Sequence, residues 1–330
     1  MKAAINERYG GPEVVEIRET PTPELGPGPN REFHETDVLV RVHATTVNRT
    51  DCGMRTPYPF FARPFIGLFK PNQRILGLDF AGVVEAVGGD VTFFAVGDRV
   101  FGLSPSTYGA HAEVLRVPQD GPIAKMPKGI DFSAAAPIEG AWYATNILRK
   151  FGLSSGHSLL VYGATGAIGT AAVQLAKAKG ATVTAVCPTK NVDLTHSLGA
   201  DRVIDYQSED FTAIGETFDF VLDAVGKTSY FDCRKLLKPG GVYSATDFGR
   251  WGHVIFLAIL SAITRSGRVI FAFPSARKTF IEFLRDRIET GEYRAVIDRR
   301  YPLDEIVEAY RYVETEQKVG NVVIEMAGDG

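Results

Sequence analysis

The stretch of this chain best equipped for chemistry is Gly163-Ala164-Thr165-Gly166-Ala167-Ile168-Gly169, which follows the aliphatic run Ser158-Leu159-Leu160-Val161-Tyr162 and precedes a long Ala-rich segment. Read from Ala164, it has Ala-x-Gly-x-x-Gly spacing, the dinucleotide fingerprint with Ala in place of the first glycine. A missing side chain at Gly166 lets the backbone approach a pyrophosphate, and one at Gly169 lets the helix pack closely on the strand. The helix N-terminus offers free N–H groups and the positive end of its dipole to phosphates. A Gly-rich turn can also be only a turn. Here strand, turn, helix and next strand all stand in order, so Ala164, Thr165, Gly166, Ala167, Ile168 and Gly169 are the expected cofactor cradle.

The end of the second strand speaks to which dinucleotide binds. NAD sites usually hold an Asp or Glu there, ~20 residues on, for the ribose hydroxyl. This chain has Val186-Cys187-Pro188-Thr189-Lys190-Asn191, with no acid before Asp193. Thr189 supplies a donor and Lys190 a cation, which suit a 2′-phosphate. The expected cofactor is therefore NADP(H). The plainer reading of Lys190 is a solvated lysine at a helix start.

These residues need a frame. From residue 133 strands and helices alternate. Strands are expected at 158–162, 182–186, 202–204, 218–222, 241–246 and 269–273, and helices at 133–150, 167–179, 191–198 and 229–237. This alternation predicts a parallel doubly wound sheet, and six strands fit the order 3-2-1-4-5-6. Residues 1–125 read instead as β-rich, with β-branched runs at 38–42, 81–87 and 98–101 punctuated by glycines and a Pro/Gly loop at 21–29. Helices at 278–290 and 303–313 and a strand at 321–326 end the chain and are expected to return to that first unit.

Composition narrows the function classes. The 330 residues carry 36 Lys and Arg against 39 Asp and Glu, a net charge of −3, so the basic field of a nucleic-acid binder is missing. A 45% hydrophobic content supplies a core and argues against disorder. Cys52, Cys187 and Cys233 are too few and too far apart for a disulfide framework or CxxC zinc spacing, which fits a reducing compartment. The N-terminus lacks a signal-like apolar run. The most apolar segment, 254–263, is far short of the ~20 residues of a membrane span and is expected to be a buried helix in the core or at a subunit contact. A cytoplasmic location is expected.

Gly77-Leu78-Asp79-Phe80-Ala81-Gly82-Val83-Val84, Val96-Gly97-Asp98-Arg99-Val100, the 164–169 loop, Leu198-Gly199-Ala200-Asp201, Val203-Ile204-Asp205-Tyr206 and Lys238-Pro239-Gly240-Gly241 together resemble the medium-chain dehydrogenase/reductase superfamily. The resemblance is strongest to its zinc-independent quinone oxidoreductase-like branch and covers nearly the whole chain. It implies an α/β fold. A GroES-like β-rich catalytic domain would take residues 1–126 and 274–330, and a Rossmann dinucleotide-binding domain residues 127–273. It also implies a homodimer, with the active site in the interdomain cleft.

In the family's zinc alcohol dehydrogenases a Cys ligand stands in the segment matching Thr46 to Asp51, and a His ligand precedes the acid of a Gly-His-Glu motif. This chain has Asn48 and Leu78 at those places. Neither is a useful zinc ligand, so no catalytic metal is expected. Alcohol oxidation needs a group that acidifies a hydroxyl, the role zinc fills as a Lewis acid. Hydride addition to an enone, alkenal or quinone needs only donors for the developing oxyanion. The expectation is an NADPH-dependent reductase of such acceptors.

By family position, Asn48 would face the nicotinamide and donate to the substrate oxygen. Asp51 would orient loop backbone or an arginine, and Tyr58 would offer a phenolic hydrogen bond. Each also has an ordinary reading as cap, turn or packed ring. Tyr206 would lie near the adenosine phosphate, and Asp223, Ala224 and Val225 where the nicotinamide ribose approaches. Thr246 and Phe248 would end the fifth strand, and Asn321 replaces the Lys of a terminal Gly-Lys-Val-Val motif. Two other functions stay open: an NADP-dependent alcohol dehydrogenase, and a non-catalytic cofactor-binding or membrane-associated adaptor, the latter motivated by the apolar 254–263 segment.

Overall fold

Runs of β-branched residues and frequent glycine turns shape the N-terminal part of the chain into strands. The computed structural model describes residues 1–26, 35–58, 63–247, 253–264, 266, 268–272, 275 and 277–326. Two compact units emerge: Met1–Glu139 with Ala276–Glu289 and Ile297–Gly330, and Gly140–Ser275 with Thr290–Val296. Residues 127–139, which the sequence reading places in the Rossmann domain, group with the first unit, because the short helix Phe132–Ala135 packs on that unit's sheet.

The first unit begins with β1 (Lys2–Asn6) and β2 (Val15–Glu19), an antiparallel pair. It continues with β3 (Asp37–Val47), β4 (Asp79–Val87), β5 (Arg99–Leu103), β6 (Val114–Pro118) and β7 (Ile123–Lys125). In the second unit, β8 (Ser158–Tyr162), β9 (Thr182–Cys187), β10 (Arg202–Asp205), β11 (Phe218–Asp223), β12 (Leu237–Ala245) and β13 (Val269–Ile270) form one parallel sheet in the order β10-β9-β8-β11-β12-β13. That is the expected 3-2-1-4-5-6 order of a doubly wound fold. Leu159, Leu160, Val161, Val221 and Leu222 are fully buried, as strands covered on both faces require.

The chain then returns to the first unit. Strands β14 (Ile297–Pro302) and β15 (Asn321–Glu325) extend its sheet to β14-β15-β3-β4-β5-β7, with β6 paired to β3. The helix Ile306–Glu314 buries Ile306, Ala309, Tyr310 and Val313, an i, i+3, i+4, i+7 stripe, into a core shared with Val40, Phe80, Val100 and Ile324.

Two expectations change. The single helix over 133–150 is two helices, Phe132–Ala135 and Glu139–Phe151, broken where Pro137 cannot donate to a helical ladder. The helix His253–Ile263 is buried on one face only: Val254 points inward, while Phe256 is 66% and Ile263 73% exposed. No helix among the described residues is long and apolar enough to cross a membrane.

Candidate active site

The nucleotide end is built at the tip of β8. Gly163 turns the chain with φ 76°, a left-handed conformation that favours glycine. Gly166 then begins the helix Ala167–Ala178. The two fingerprint glycines have different jobs. A Cβ at Gly169 would lie 2.1 Å from the Gly163 carbonyl oxygen, so this glycine serves the packing of helix on strand. A Cβ at Gly166 would find no protein atom nearer than 3.8 Å, so its bareness leaves a cradle for something else. Ala164 is buried, with its N–H bonded to the Val186 carbonyl at 3.1 Å, and is part of the frame. Thr165, Ala167 and Ile168 remain partly exposed around the helix N-terminus. These residues fit a dinucleotide pyrophosphate.

Thr189, Lys190 and Tyr206 lie on the ends of the adjacent strands β9 and β10, where Cys187 pairs with Asp205 and the Tyr206 N–H reaches the Cys187 carbonyl at 3.2 Å. All three are exposed. The reading of the second strand missed an acid. Asp205 comes from β10, not β9, and its Oδ2 accepts the Thr189 hydroxyl at 2.6 Å. That hydrogen bond, with others from Gln207 and Ser208, holds the Asp205 carboxyl below its ordinary range.

Asp223 closes its own loop. Its Oδ1 accepts the N–H groups of Val225 (3.0 Å) and Gly226 (2.8 Å), and its Oδ2 that of Thr228 (2.9 Å). Burial pushes its carboxyl up against these donors. Asp223 therefore shapes the loop bearing Ala224 and Val225 instead of presenting a carboxylate outward. Val225 overhangs Gly163, its Cγ1 2.6 Å from where a Cβ there would stand. The Thr246 N–H bonds the Asp223 carbonyl at 3.0 Å. Phe248 lies outside the described residues. Asn321 is buried on β15 of the first unit.

Beyond the loop, the second unit holds a cavity of about 470 Å³ whose lining includes Tyr162, Phe211 and Phe231, the cations Lys227, Arg234 and Lys235, and one acid, Asp232. Tyr162 stacks on Phe211 at 4.8 Å between ring centroids. Aromatic walls beside cations suit a flat base carrying phosphate. The one sequence signal for it was the aromatic residue immediately before the Gly163 turn.

In the first unit, Asn48 follows β3 and caps the helix Arg49–Arg55. Its N–H donates to Asp51 Oδ2 at 2.9 Å, and Asp51 Oδ1 accepts the Gly77 N–H at 3.0 Å. The Asn48 side-chain nitrogen donates to Thr46 Oγ1 (2.6 Å) and Asp79 Oδ2 (3.3 Å). Both amide protons thus point into a buried knot, where the family expectation had one donating to substrate. Asp79 Oδ2 also accepts the Thr46 hydroxyl (2.9 Å) and the N–H groups of Ile138 (3.3 Å) and Glu139 (3.2 Å). The Thr50 hydroxyl bonds Glu139 Oε1. Asp79 Oδ1 and Glu139 Oε2 are buried with no hydrogen-bond partner among the described residues.

Burial, aided by Asp51, pushes Asp79 up to about 7, despite its donors. Burial, then Asp79 and Asp51, raises Glu139 well above the usual carboxylate range. His111 accounts for itself structurally, with Nε2 2.8 Å from the Thr46 carbonyl and its ring edge on Tyr310. Tyr58 stands apart from this knot, 56% exposed. Sequence reasoning missed Thr50 and Glu139, since nothing in their local pattern distinguishes them from helix-start residues.

The donor set here does not fit zinc. Leu78 is 1% exposed and apolar, the Asn48 amide is bound to Thr46 and Asp79, and the described residues hold no group of three His, Cys, Asp or Glu arranged for a metal.

A doubly wound sheet with a nucleotide loop, joined to a β-rich unit made from both chain ends, defines a two-domain dehydrogenase/reductase. The family model of the alcohol dehydrogenase GroES-like domain matches residues 34–128, and that of the zinc-binding dehydrogenase matches residues 198–324. The chain is 32% identical to a 2-methylene-furan-3-one reductase of Solanum lycopersicum, over 98% of this chain and 79% of the relative. It is 30% identical, with the same coverage, to a chloroplastic NADPH-dependent alkenal/one oxidoreductase of Arabidopsis thaliana. The solved quinone oxidoreductase of Coxiella burnetii matches with a TM-score of 0.86 at 28% identity, over 99% of both chains. The chain belongs to the medium-chain dehydrogenase/reductase superfamily, and it is an NAD(P)-dependent oxidoreductase.

Proposed function

We propose that this protein is a zinc-independent, NADPH-dependent reductase of enones, alkenals or quinones. The observation that carries the proposal is the chemistry at the two ligand positions, Asn48 and Leu78, which leaves nothing to acidify an alcohol. Three of the relatives are named for a methylene-furanone, alkenals and quinones, which are electron-poor acceptors and support this reading.

Bound NADPH supplies the hydride. The N–H groups around Thr165 to Ile168 would hold its pyrophosphate, and Gly166 leaves the space for it. Lys190 and Tyr206 would take the 2′-phosphate, the aromatic cavity the adenine, and the Ala224–Val225 loop with Thr246 the far ribose. Asp51 fixes the turn after β3 through two backbone N–H groups. A homodimer in the cytoplasm belongs to the same proposal.

The test is NADPH consumption against a panel of enones, alkenals, quinones and alcohols, with metal analysis of the purified protein. Turnover of the first three classes without stoichiometric zinc is expected. Alcohol-dependent NADP⁺ reduction with one zinc per chain would overturn the proposal.

A further inference from the structure

The helix His253–Ile263 inverts the usual division of a surface helix. Ser261 is the one polar residue between Val254 and Ile263, and it turns inward. Its Oγ accepts the Val269 N–H at 3.1 Å and lies 3.0 Å from the Ser266 hydroxyl. Val254, two turns earlier on the same side, is buried as well. Outward stand Phe256, Ile259, Leu260 and Ile263, a stripe at i, i+3, i+4 and i+7 whose members are between 44% and 73% exposed. A contiguous apolar face of this kind marks a surface that meets something other than water.

The surrounding charge identifies the occupant. From Phe248 to Ile281 the sequence carries Arg250, Arg265, Arg268, Arg277 and Lys278 and no Asp or Glu, in a chain whose net charge is −3. Arg268 is exposed, and the bond from Val269 to Ser261 holds it next to the helix end that bears Leu260 and Ile263. Apolar side chains bordered by arginine suit the boundary of an anionic lipid layer. The rings and branched chains enter the acyl region, and the guanidinium groups meet headgroup phosphates. A second copy of the chain fits less well. A two-fold contact sets the patch against itself, and the segment has no acid to pair with the arginines brought together. The helix is 11 residues long and fastened to β13 through Ser261, so it can lie in a membrane surface but not cross the bilayer.

We infer that the face of Phe256, Ile259, Leu260 and Ile263 seats this protein on anionic membrane surfaces. Docking of this kind is independent of the proposed reduction, which is read from turnover of soluble acceptors without lipid.

The experiment uses the full chain with vesicles of phosphatidylcholine alone or mixed with phosphatidylglycerol. Sedimentation with the mixed vesicles only, weakening as salt rises, is expected. Phe256→Gln combined with Ile263→Gln should weaken that binding at least about tenfold, and Arg268→Gln about fivefold. These changes fall on exposed side chains, so the urea midpoints should stay near that of the wild type. Cys52, Cys187 and Cys233 are buried, so Ile259→Cys can be labelled at that position alone with a polarity-sensitive dye. Its emission should shift to the blue when mixed vesicles are added, which locates the contact without the Gln variants. Wild-type protein that stays in solution with both vesicle types, binding undiminished in the double variant, or bound protein with no dye shift would each overturn the proposal. So would a dimer that falls to monomers in the double variant, because a second copy would then cover the face. Any of these results leaves the proposed function standing.

Discussion

The backbone N–H of Glu139 donates to Asp79 Oδ2 at 3.2 Å, so the main chain of one buried acid is bonded to the side chain of another. Four donors converge on that one oxygen of Asp79, and its other oxygen has none among the described residues.

That asymmetry predicts the behaviour of Asp79→Asn. The Asn oxygen can take the four donors in place of Oδ2, so the fold should survive. Asp79 titrates near 7 in the folded chain, chiefly through burial, against about 4 when unfolded. Between those values the folded state binds the extra proton, so the contribution of Asp79 to stability is greatest below about pH 4 and is lost as pH rises through 7. Urea unfolding from pH 5 to 8 should show a decline on the order of 1 kcal/mol per pH unit at most, reduced in Asp79→Asn. Equal slopes in the two proteins would contradict the assignment.

Asp51 satisfies two buried N–H groups, those of Asn48 and Gly77. Asp51→Ala leaves both without partners and should cost about 2–4 kcal/mol of unfolding free energy. A shift in the urea midpoint worth under about 0.5 kcal/mol would mean that water replaces the carboxylate.

The two fingerprint glycines should separate stability from binding. Gly169→Ala forces a methyl against the Gly163 carbonyl and should lower stability by about 1–3 kcal/mol. Gly166→Ala meets protein atoms only at ordinary contact distance, 3.8 Å and beyond, and should stay within about 1 kcal/mol of wild type in thermal unfolding. Calorimetric titration should nevertheless show its NADPH affinity reduced at least about tenfold, because the methyl blocks close approach of the pyrophosphate.

Lys190→Ala should weaken NADPH binding about 10–100-fold, the worth of one charge-assisted contact to phosphate, and leave NADH nearly untouched. Equal loss for both cofactors would remove Lys190 from the 2′-phosphate site. Asp205, bonded to Thr189, is the residue to exchange next in that case.

Local patterns were enough to read the nucleotide half. A covered parallel strand is apolar throughout, a fingerprint turn needs glycine at set spacing, and both signals lie within a few residues of one another. The break at Pro137 was available in the same way, since a residue without an N–H interrupts a helix wherever it falls. The exposed face of His253–Ile263 was not, because the run has almost no polar residues to say which way it turns, and Ser261 within it is itself buried.

By itself, then, the sequence determined the class of fold, the phosphate loop, and the residue types at the two zinc positions, all properties of short windows. The tertiary structure alone decided what Asn48, Thr50, Asp79 and Glu139 do. Asn48 and Asp79 are 31 residues apart, and Thr50 and Glu139 are 89 apart. They meet because the antiparallel register of β3 on β4, with Thr45 opposite Phe80, brings Thr46 to Asp79, and because the chain turning at Pro137 delivers Glu139 to the same place. Register and chain return depend on packing across the whole unit, so no local pattern could have shown that the amide of Asn48 points inward or that a buried acid stands behind Thr50.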